Sequence, residues 1–448
     1  MNIKELLIKI DSKRAAEIFS WLYGSSEVEA ARRRYKSLIT EISKSGTDKF
    51  SENENLRMFS APGRTELAGN HTDHNRGKVL AASIHLDNVA VVQKRNDNTV
   101  FFRSTNFPDE KVKLTDTSGA PDLKPKPEER GTTSAIIRGI AAGTGVTGGF
   151  SANAESGVLP GSGLSSSAAL EMLLCRVFDS LYGDGKRSPL EIAQIGKTAE
   201  NVYFGKPCGL MDQIICATGG AAAIDFFNEV HPEIKPISFD LAACGYTLCV
   251  VNTGGSHANL TVDYASIPAE MNATAALFGK SVLGELEKET ILYRASEVRK
   301  TLGDRALLRS LHFFDENERV DTMTFALVEM ESAATNTKKQ QALKLYLDMV
   351  NESGNSSWEL LQNTYPPSHH ETQAISAALA LTKNFFRSHK LQGACRVHGG
   401  GFAGTIQAYI PSNMLNVYRS YIEEVFGAGS VTELIIRPAG VVELDFGE

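Results

Sequence analysis

Cysteine is scarce. Six residues in 448, with no two in a CxxC spacing, leave little for a disulfide framework or a zinc site. Cys175, Cys208, Cys216, Cys244, Cys249 and Cys395 stand mostly in apolar runs, so buried free thiols and a reducing, cytoplasmic setting are expected. No segment reaches the roughly 18 consecutive apolar residues of a membrane span. The N-terminal "MNIKELLIKIDSKRAAEIF" mixes acids, bases and apolar residues at helical spacing, unlike a secretory leader. Basic charge is not in excess, with 46 Lys and Arg against 53 Asp and Glu, so a nucleic-acid-binding surface is not expected. The chain lacks GxxxxGK[ST], a GxGxxG loop followed by DFG, and a GxSxG elbow. These absences argue against a P-loop NTPase, a protein kinase and an elbow-type serine hydrolase. There is no internal repeat and no low-complexity tract.

What is present is a globular composition, 42% hydrophobic and 22% charged, in a chain long enough for two domains. Residues 3–23 and 27–44 read as two amphipathic helices, and the polar "KSGTDKFSENENLR" as a linker. From Arg57 short apolar runs bounded by turn residues predict strands: "LRMFSAPGR", "VLAASIHLDNVAVVQKR", "TVFFRS" and "KVKL". "TSAIIRGIAAGTG" predicts a helix and "GGFSANAES" a strand. A second block opens with the buried strand "GYTLCVVNTGG", runs through helix-rich sequence from Tyr264 to Lys390, and returns to strands at "GACRV", "TIQAYI", "VTELIIRP" and "VVELDF". Without a regular βαβ alternation, the expected class is α+β in two domains, joined near 235–245.

In "SGVLPGSGLSSSAALEMLLCRVFDSLYG", Leu170, Leu173, Leu174, Val177, Phe178 and Leu181 form one helical stripe. That helix begins at Ser165–Ser167, directly after the loop Pro160–Gly163. Unpaired N–H groups and the positive end of the helix dipole then face the loop, which makes an anion site. A serine N-cap alone needs one serine. Three serines and two glycines exceed that, and point to phosphate.

"RTELAGNHTDHNRG", residues 64–77, packs Arg64, Glu66, Asn70, His71, Asp73 and His74 together. Two imidazoles and a carboxylate could hold a metal or the hydroxyls of a sugar, and the stretch alone leaves both open. In "GKPCGLMDQIICATGG", Asp212 lies among glycines and apolar residues, where it must find a partner or its pKa rises. It reads either as a helix-capping residue or as a catalytic acid or base. "CRVHGGGFAGTIQAYI" brings Gly399–Gly401 before a strand, as a tight turn or a close backbone approach to a ligand.

Together these stretches resemble the GHMP kinase superfamily, and within it the galactokinases. "PGSGLSSSAALE" matches the family's nucleotide loop, "GRTELAGNHTDHNRG" its sugar signature, "PCGLMDQ" its catalytic-Asp motif and "HGGGFAG" its third glycine motif, in the family's order. "NTGGSHANLTVDY", residues 252–264, resembles the segment that ends in a sugar-contacting Tyr. The resemblance implies a ribosomal S5 domain 2-like N-terminal domain over 56–240 and a ferredoxin-like C-terminal domain over 241–448. A helical N-terminal extension over 1–55 falls outside it.

The resemblance further implies an ATP-dependent sugar 1-kinase using Mg²⁺, with a small sugar and ATP as its partners. ATP phosphates would lie on Pro160, Gly161, Ser162, Gly163, Leu164, Ser165, Ser166 and Ser167. Ser167 or Ser166 and Glu200 would hold the metal. Asp212 would accept or orient the proton of the anomeric hydroxyl, with Arg64 keeping it ionised. Arg64, Glu66, Asn70, His71, Asp73, Gly209, Asp212 and Tyr264 would contact the sugar, which turns the histidine cluster from metal site to sugar pocket. The family usually has Asn at 66 and Glu at 70, the Glu reaching a distal sugar hydroxyl; here the pair is exchanged. The sequence therefore admits galactose with the charge merely moved, or a different sixth carbon as in galacturonate, or N-acetylgalactosamine. A non-catalytic sugar and ATP sensor is a further alternative. His74 replaces the usual Tyr and His398 the usual Thr.

Overall fold

The computed structural model describes residues 1–42, 50–51, 55–158, 161–255 and 260–447. Pro160, most of the polar linker, and residues 256–259 of the 252–264 segment lie outside them.

Three helices open the chain: α1 (Ile3–Ile10), α2 (Lys13–Tyr23) and α3 (Val28–Ile42). The helix expected over 3–23 is two helices. Ser12 adopts extended backbone and its hydroxyl accepts from the Ala15 amide, starting a new helix where the first would have continued. There follow β1 (Leu56–Ala68), β2 (Lys78–Lys94), β3 (Thr99–Ser104), β4 (Glu110–Lys113), α4 (Thr133–Thr144), β5 (Phe150–Ser156), α5 (Ser166–Tyr182), α6 (Pro189–Thr198) and α7 (Met211–Thr218). Next come β6 (Ala221–Asp225), β7 (Glu233–Ile237), β8 (Tyr246–Asn252), α8 (Thr261–Leu277), α9 (Lys288–Tyr293), α10 (Ala295–Leu302), α11 (Asp304–Ser332) and α12 (Asn336–Ser356). The last are α13 (Ala374–Ser388), β9 (Ala394–His398), β10 (Thr405–Pro411), α14 (Leu415–Phe426), β11 (Val431–Leu434) and β12 (Val442–Leu444).

The strands form an eight-stranded sheet with the path β12-β1-β2-β5-β3-β4, β6 and β7 branching from β2, and a four-stranded sheet β11-β8-β10-β9. The architecture is α+β. Strand β2 is apolar on both faces because both are covered. Ala90 and Val92 point into the core beneath α4–α7, with Phe59, Phe150 and Phe178. Their neighbours Val89 and Val91 point the opposite way and pack with Met58 against Phe19, Tyr35 and Leu38 of the N-terminal helices. The second sheet alternates likewise: Leu248 and Val250 face α11 and α12, and Cys249 and Val251 face α13 and α14. All six cysteines are free thiols, four of them buried. Among the described residues no helix is long and apolar enough to cross a membrane.

The β1–β2 pairing slips between Pro62 and Arg64 and again between Glu66 and Ala68. Such bulges re-aim side chains, and these two bracket Arg64, Thr65 and Glu66. Gly63 sits at the first slip, where a Cβ would lie 2.6 Å from the Leu164 carbonyl. Only glycine lets β1 run this close to the loop before α5, and the Arg64 amide bonds that carbonyl at 3.0 Å.

Candidate active site

The bulged strand β1, the loop before α5 and the start of α7 meet at one point. Arg64 Nε donates to Asp212 Oδ1 at 2.7 Å, and its Nη1 donates to the Gly163 carbonyl. Ser165 Oγ donates to Asp212 Oδ2 at 2.5 Å. Burial alone would raise the Asp212 pKa, but the Arg64 guanidinium, with the hydroxyl of Ser165, outweighs it and holds the carboxyl below the ordinary aspartate range. Arg64 is buried, while a third of the Asp212 side chain stays open to an incoming group. Asp212 therefore has the partner that its apolar surroundings demand.

None of the three serines caps α5 with its side chain. Ser165, the residue before the helix, sits at φ 61° in the left-handed region and makes no capping bond. Ser166 accepts at its carbonyl from Asn88 Nδ2 at 3.2 Å. Ser167 Oγ donates to Glu200 Oε1 at 3.2 Å. Glu200 is buried in the π-helical turn Ala199–Phe204 that continues α6. Its Oε1 also meets Lys206 Nζ at 3.1 Å, and its Oε2 accepts from Gln213 at 3.2 Å. A hydroxyl and one carboxylate beside the loop that precedes α5 suit a hard divalent cation. The Lys206 ammonium on the same oxygen marks the spot as one that accepts positive charge.

Of the other expected residues, Asp73 meets Gly209, and His71 and Tyr264 meet the Gly399–Gly401 turn after β9. Asp73 lies over Gly209, where a Cβ would meet its Oδ2 at 2.0 Å, so the glycine of "PCGLMDQ" makes room for this carboxylate. His71, in the left-handed region at φ 61°, has its Nε2 2.9 Å from the Gly400 carbonyl. Burial holds the His71 pKa down at about 4, so the ring is neutral and Nε2 carries the proton. Tyr264 donates its hydroxyl to Gly401 at 2.8 Å and packs edge-on to Phe402. His74 is exposed, its Nε2 3.9 Å from Asp73. Among the described residues no three His, Cys, Asp or Glu side chains form a metal-ligand group.

Glu66 and Asn70 touch: Asn70 Nδ2 donates to Glu66 Oε1 at 3.0 Å and to the Gly399 carbonyl at 2.7 Å. Both are buried and committed to protein partners. Arg396 Nη2 donates to Glu66 Oε1 at 2.6 Å, and Asn363 Nδ2 to Asn70 Oδ1 at 2.8 Å. Sequence reasoning missed Arg396 and Asn363. A lone arginine inside the apolar run "GACRV" was a signal for a buried acid elsewhere; nothing in its neighbourhood marked Asn363.

A cavity of about 180 Å³ opens beside the start of α5. Ser166 and Ser167 stand at it with Phe102, Phe107, Pro108 and Leu170. The sequence reading missed it because "TNFPDE" looks like a turn after β3. Its one signal was an aromatic in polar company, and Phe107 is indeed exposed.

With this geometry in view, the comparisons fall into one group. The family model described as the GHMP kinases N terminal domain matches residues 132–220, and that described as the galactokinase galactose-binding signature matches residues 47–94. The chain is 30% identical over 379 residues to a galactokinase of Streptomyces coelicolor, covering 84% of this chain and 89% of that protein. It is 28% identical to a galactokinase of Glaesserella parasuis, with coverages of 81% and 88%. Among solved structures it resembles Lactococcus lactis galactokinase complexed with galactose, at a TM-score of 0.73 and 25% identity over 91% of this chain and all of that one. Streptococcus pneumoniae phosphomevalonate kinase, solved with phosphomevalonate and AMPPNP, shares the fold at a TM-score of 0.56 and 13% identity, with coverages of 86% and 99%.

Proposed function

The chain belongs to the galactokinase family of the GHMP kinases, and from that premise we propose that it moves the γ-phosphate of ATP to the anomeric hydroxyl of galactose, yielding α-galactose 1-phosphate and ADP. The observation that carries this reading is the ionised, partly open Asp212 held by Arg64 and Ser165 beside the loop that precedes α5. The test is a panel of sugars with ATP and Mg²⁺, scored by kcat/KM. Galactose is expected to lead. A preference above tenfold for galacturonate or N-acetylgalactosamine, about 1.4 kcal/mol of transition-state binding, would overturn the choice of sugar. Sugar-dependent ADP release separates the enzyme from a binding-only sensor.

The nucleotide's phosphates rest on the amides of residues 161–167 and the N-terminus of α5, where backbone N–H groups and the helix dipole favour negative charge. Pro160 belongs to the same loop in this reading. The adenine fits the apolar cavity at Phe102, Phe107 and Leu170, which opens directly from Ser166 and Ser167. Ser167 and Glu200 are the groups that would hold Mg²⁺, with the exposed Lys206 swinging aside; Ser166 stands behind them against the cavity. Mg²⁺ bound with ATP neutralises phosphate charge.

The sugar lies between Asp212 and the Gly399–Gly401 turn. Asp212 accepts the proton of the anomeric hydroxyl or orients it, and Arg64 both keeps the carboxylate ionised and faces the transferring group. His71, Asp73 and Tyr264 grip the remaining hydroxyls, and Gly209 brings backbone close. Glu66 and Asn70 act from beneath. Their contact at 3.0 Å supports the reading that the carboxylate has only changed places within the pair, and Arg396 balances its charge. Much of the rate then comes from positioning and fixed charge.

The division into 1–55, 56–240 and 241–448 belongs to the same proposal. Apart from β12, the strands of the two sheets fall on either side of residue 240, which supports it. A cytoplasmic location is supported by the six free thiols.

A further inference from the structure

We infer that His398 is a positioning residue that fixes the phosphate loop against the strand carrying Arg64, through a hydrogen-bond chain running in one direction only. The inference rests on the reading of residues 161–167 as the ATP phosphate loop.

The chain begins at Gln407 on β10. Its Nε2 donates to Thr65 Oγ1 at 2.8 Å and to the Glu66 carbonyl at 3.1 Å, while its Oε1 accepts from Tyr409 at 2.9 Å. The amide is thereby oriented, and the Thr65 oxygen receives a proton donor. Thr65 Oγ1 also lies 3.0 Å from the Nε2 of His398. At the far side of the ring, Nδ1 lies 3.1 Å from Thr405 Oγ1, and Thr405 donates to the Ser162 carbonyl at 2.8 Å. Thr405 is thus already a donor and takes the Nδ1 proton as acceptor. Each hydroxyl accepts once and donates once, and one tautomer alone satisfies the set: Nδ1 protonated, Nε2 bare. All of these side chains are buried.

The ring therefore bridges two parts of the site. On one side is Thr65, next to Arg64 at the β1 bulge. On the other is Ser162, next to Gly163, whose own carbonyl takes the Arg64 guanidinium. A Cβ on Gly163 would lie 3.2 Å from Nδ1, so loop and ring are in near contact. A buried imidazole is neutral here, consistent with burial holding its pKa down at about 3. The ring touches neither reacting atom. Its link to the loop runs through Thr405 to Ser162, so it should weigh on the nucleotide more than on the sugar.

The test compares His398→Leu, His398→Asn, His398→Gln and Thr405→Val with the unaltered protein, measuring KM for ATP and for galactose, kcat, and thermal midpoint. An asparagine amide can stand where Nδ1 stands and still donate toward Thr405; a glutamine amide reaches the Nε2 end instead. Expected are a tenfold or greater rise in KM for ATP in His398→Leu and Thr405→Val with KM for galactose within twofold, recovery to within threefold in His398→Asn, and no recovery in His398→Gln. Thr405→Val keeps side-chain volume and reports on the loop end if the His398 variants fold poorly. An unchanged KM for ATP in the folded variants, an equal rise for both substrates, or identical behaviour of the Asn and Leu variants would overturn the inference while leaving the kinase reading intact. Failure of the unaltered protein to bind ATP would overturn both.

Discussion

Arg64 and Asp212, 148 positions apart in the chain, share a hydrogen bond of 2.7 Å between Nε and Oδ1. The contact ties the bulged edge of β1 to the first turn of α7, and it sets the charge of the site. Burial and the guanidinium act on Asp212 in opposite directions, and the guanidinium prevails.

That balance predicts a pH profile. With its pKa below the ordinary aspartate value of about 3.9, Asp212 is ionised throughout the neutral range, and its protonation enters kcat/KM only as pH falls below that value. Arg64→Met removes the cation and leaves the burial. The acid limb should therefore move to higher pH, along with a fall in kcat. Asp212→Asn should lower kcat by about 10²–10⁴ while the protein stays folded and binds ATP. An acid limb unmoved in Arg64→Met would mean that the arginine does not set this ionisation.

The exchanged pair gives a second prediction. Arg396 is fully buried and its counter-ion is Glu66. Breaking a buried pair by removing one partner costs about 3–5 kcal/mol, so Glu66→Gln should lower stability by that order in urea unfolding. Asn70→Ala leaves the ion pair in place and should cost less. If Glu66→Gln unfolds like the unaltered chain but raises KM for galactose, the carboxylate faces the sugar and not Arg396.

Local signals carried the fold far. Strand β2 was legible as an apolar run bounded by turn residues, and the stripe from Leu170 to Leu181 as the α5 helix by its 3.6 period, because neither signal needs tertiary information. Strands β6 and β7 were not read. "AAAID" carries no alternation, and "EIKPI" holds a proline that an edge strand tolerates. At the site, residue types and motif order pointed to Arg64, Asp212 and the serine loop. The partnerships did not show: that Ser165 turns to Asp212 instead of capping its helix, or that Glu66 meets Arg396 across 330 positions. The first pairing depends on how two helices pack on one sheet and the second on how two sheets are placed against each other, and no window of sequence contains both ends.

Lys206 offers a third prediction. Its ammonium lies 3.1 Å from Glu200 Oε1, with burial lowering its pKa and Glu200 raising it to a net rise above the ordinary lysine value. A cation on that oxygen competes with any other. Lys206→Met should lower the Mg²⁺ concentration that half-saturates activity. Glu200→Gln should raise it. Equal Mg²⁺ dependence in all three proteins would remove Glu200 from the metal's surroundings.

One buried carboxylate ties two of the N-terminal helices to the first sheet beside their apolar contacts, and the fourth prediction concerns it. Asp87, on β2, accepts from Arg34 of α3 at 2.6 Å, from Tyr23 of α2 at 2.6 Å, and from Arg437 at 3.0 Å. Burial pushes its pKa up, and Arg34 and Arg437 together pull it below the ordinary value. A depressed folded-state pKa means that the group stabilises fully at neutral pH, and that its contribution is lost only as pH falls below about 3.9 toward the folded value. Asp87→Ala strips the counter-ion from Arg437, whose side chain is wholly buried. The expected loss is about 3–5 kcal/mol, with the extension cut by protease sooner than the rest of the chain, since Tyr23 loses its acceptor and Arg34 is left with Glu155 and two backbone carbonyls. Arg34→Met leaves Arg437 on the carboxylate and should cost less. An Asp87→Ala protein whose extension resists proteolysis as well as the unaltered one would show that the apolar face formed by Phe19, Tyr35 and Leu38 holds these helices without help from the charge.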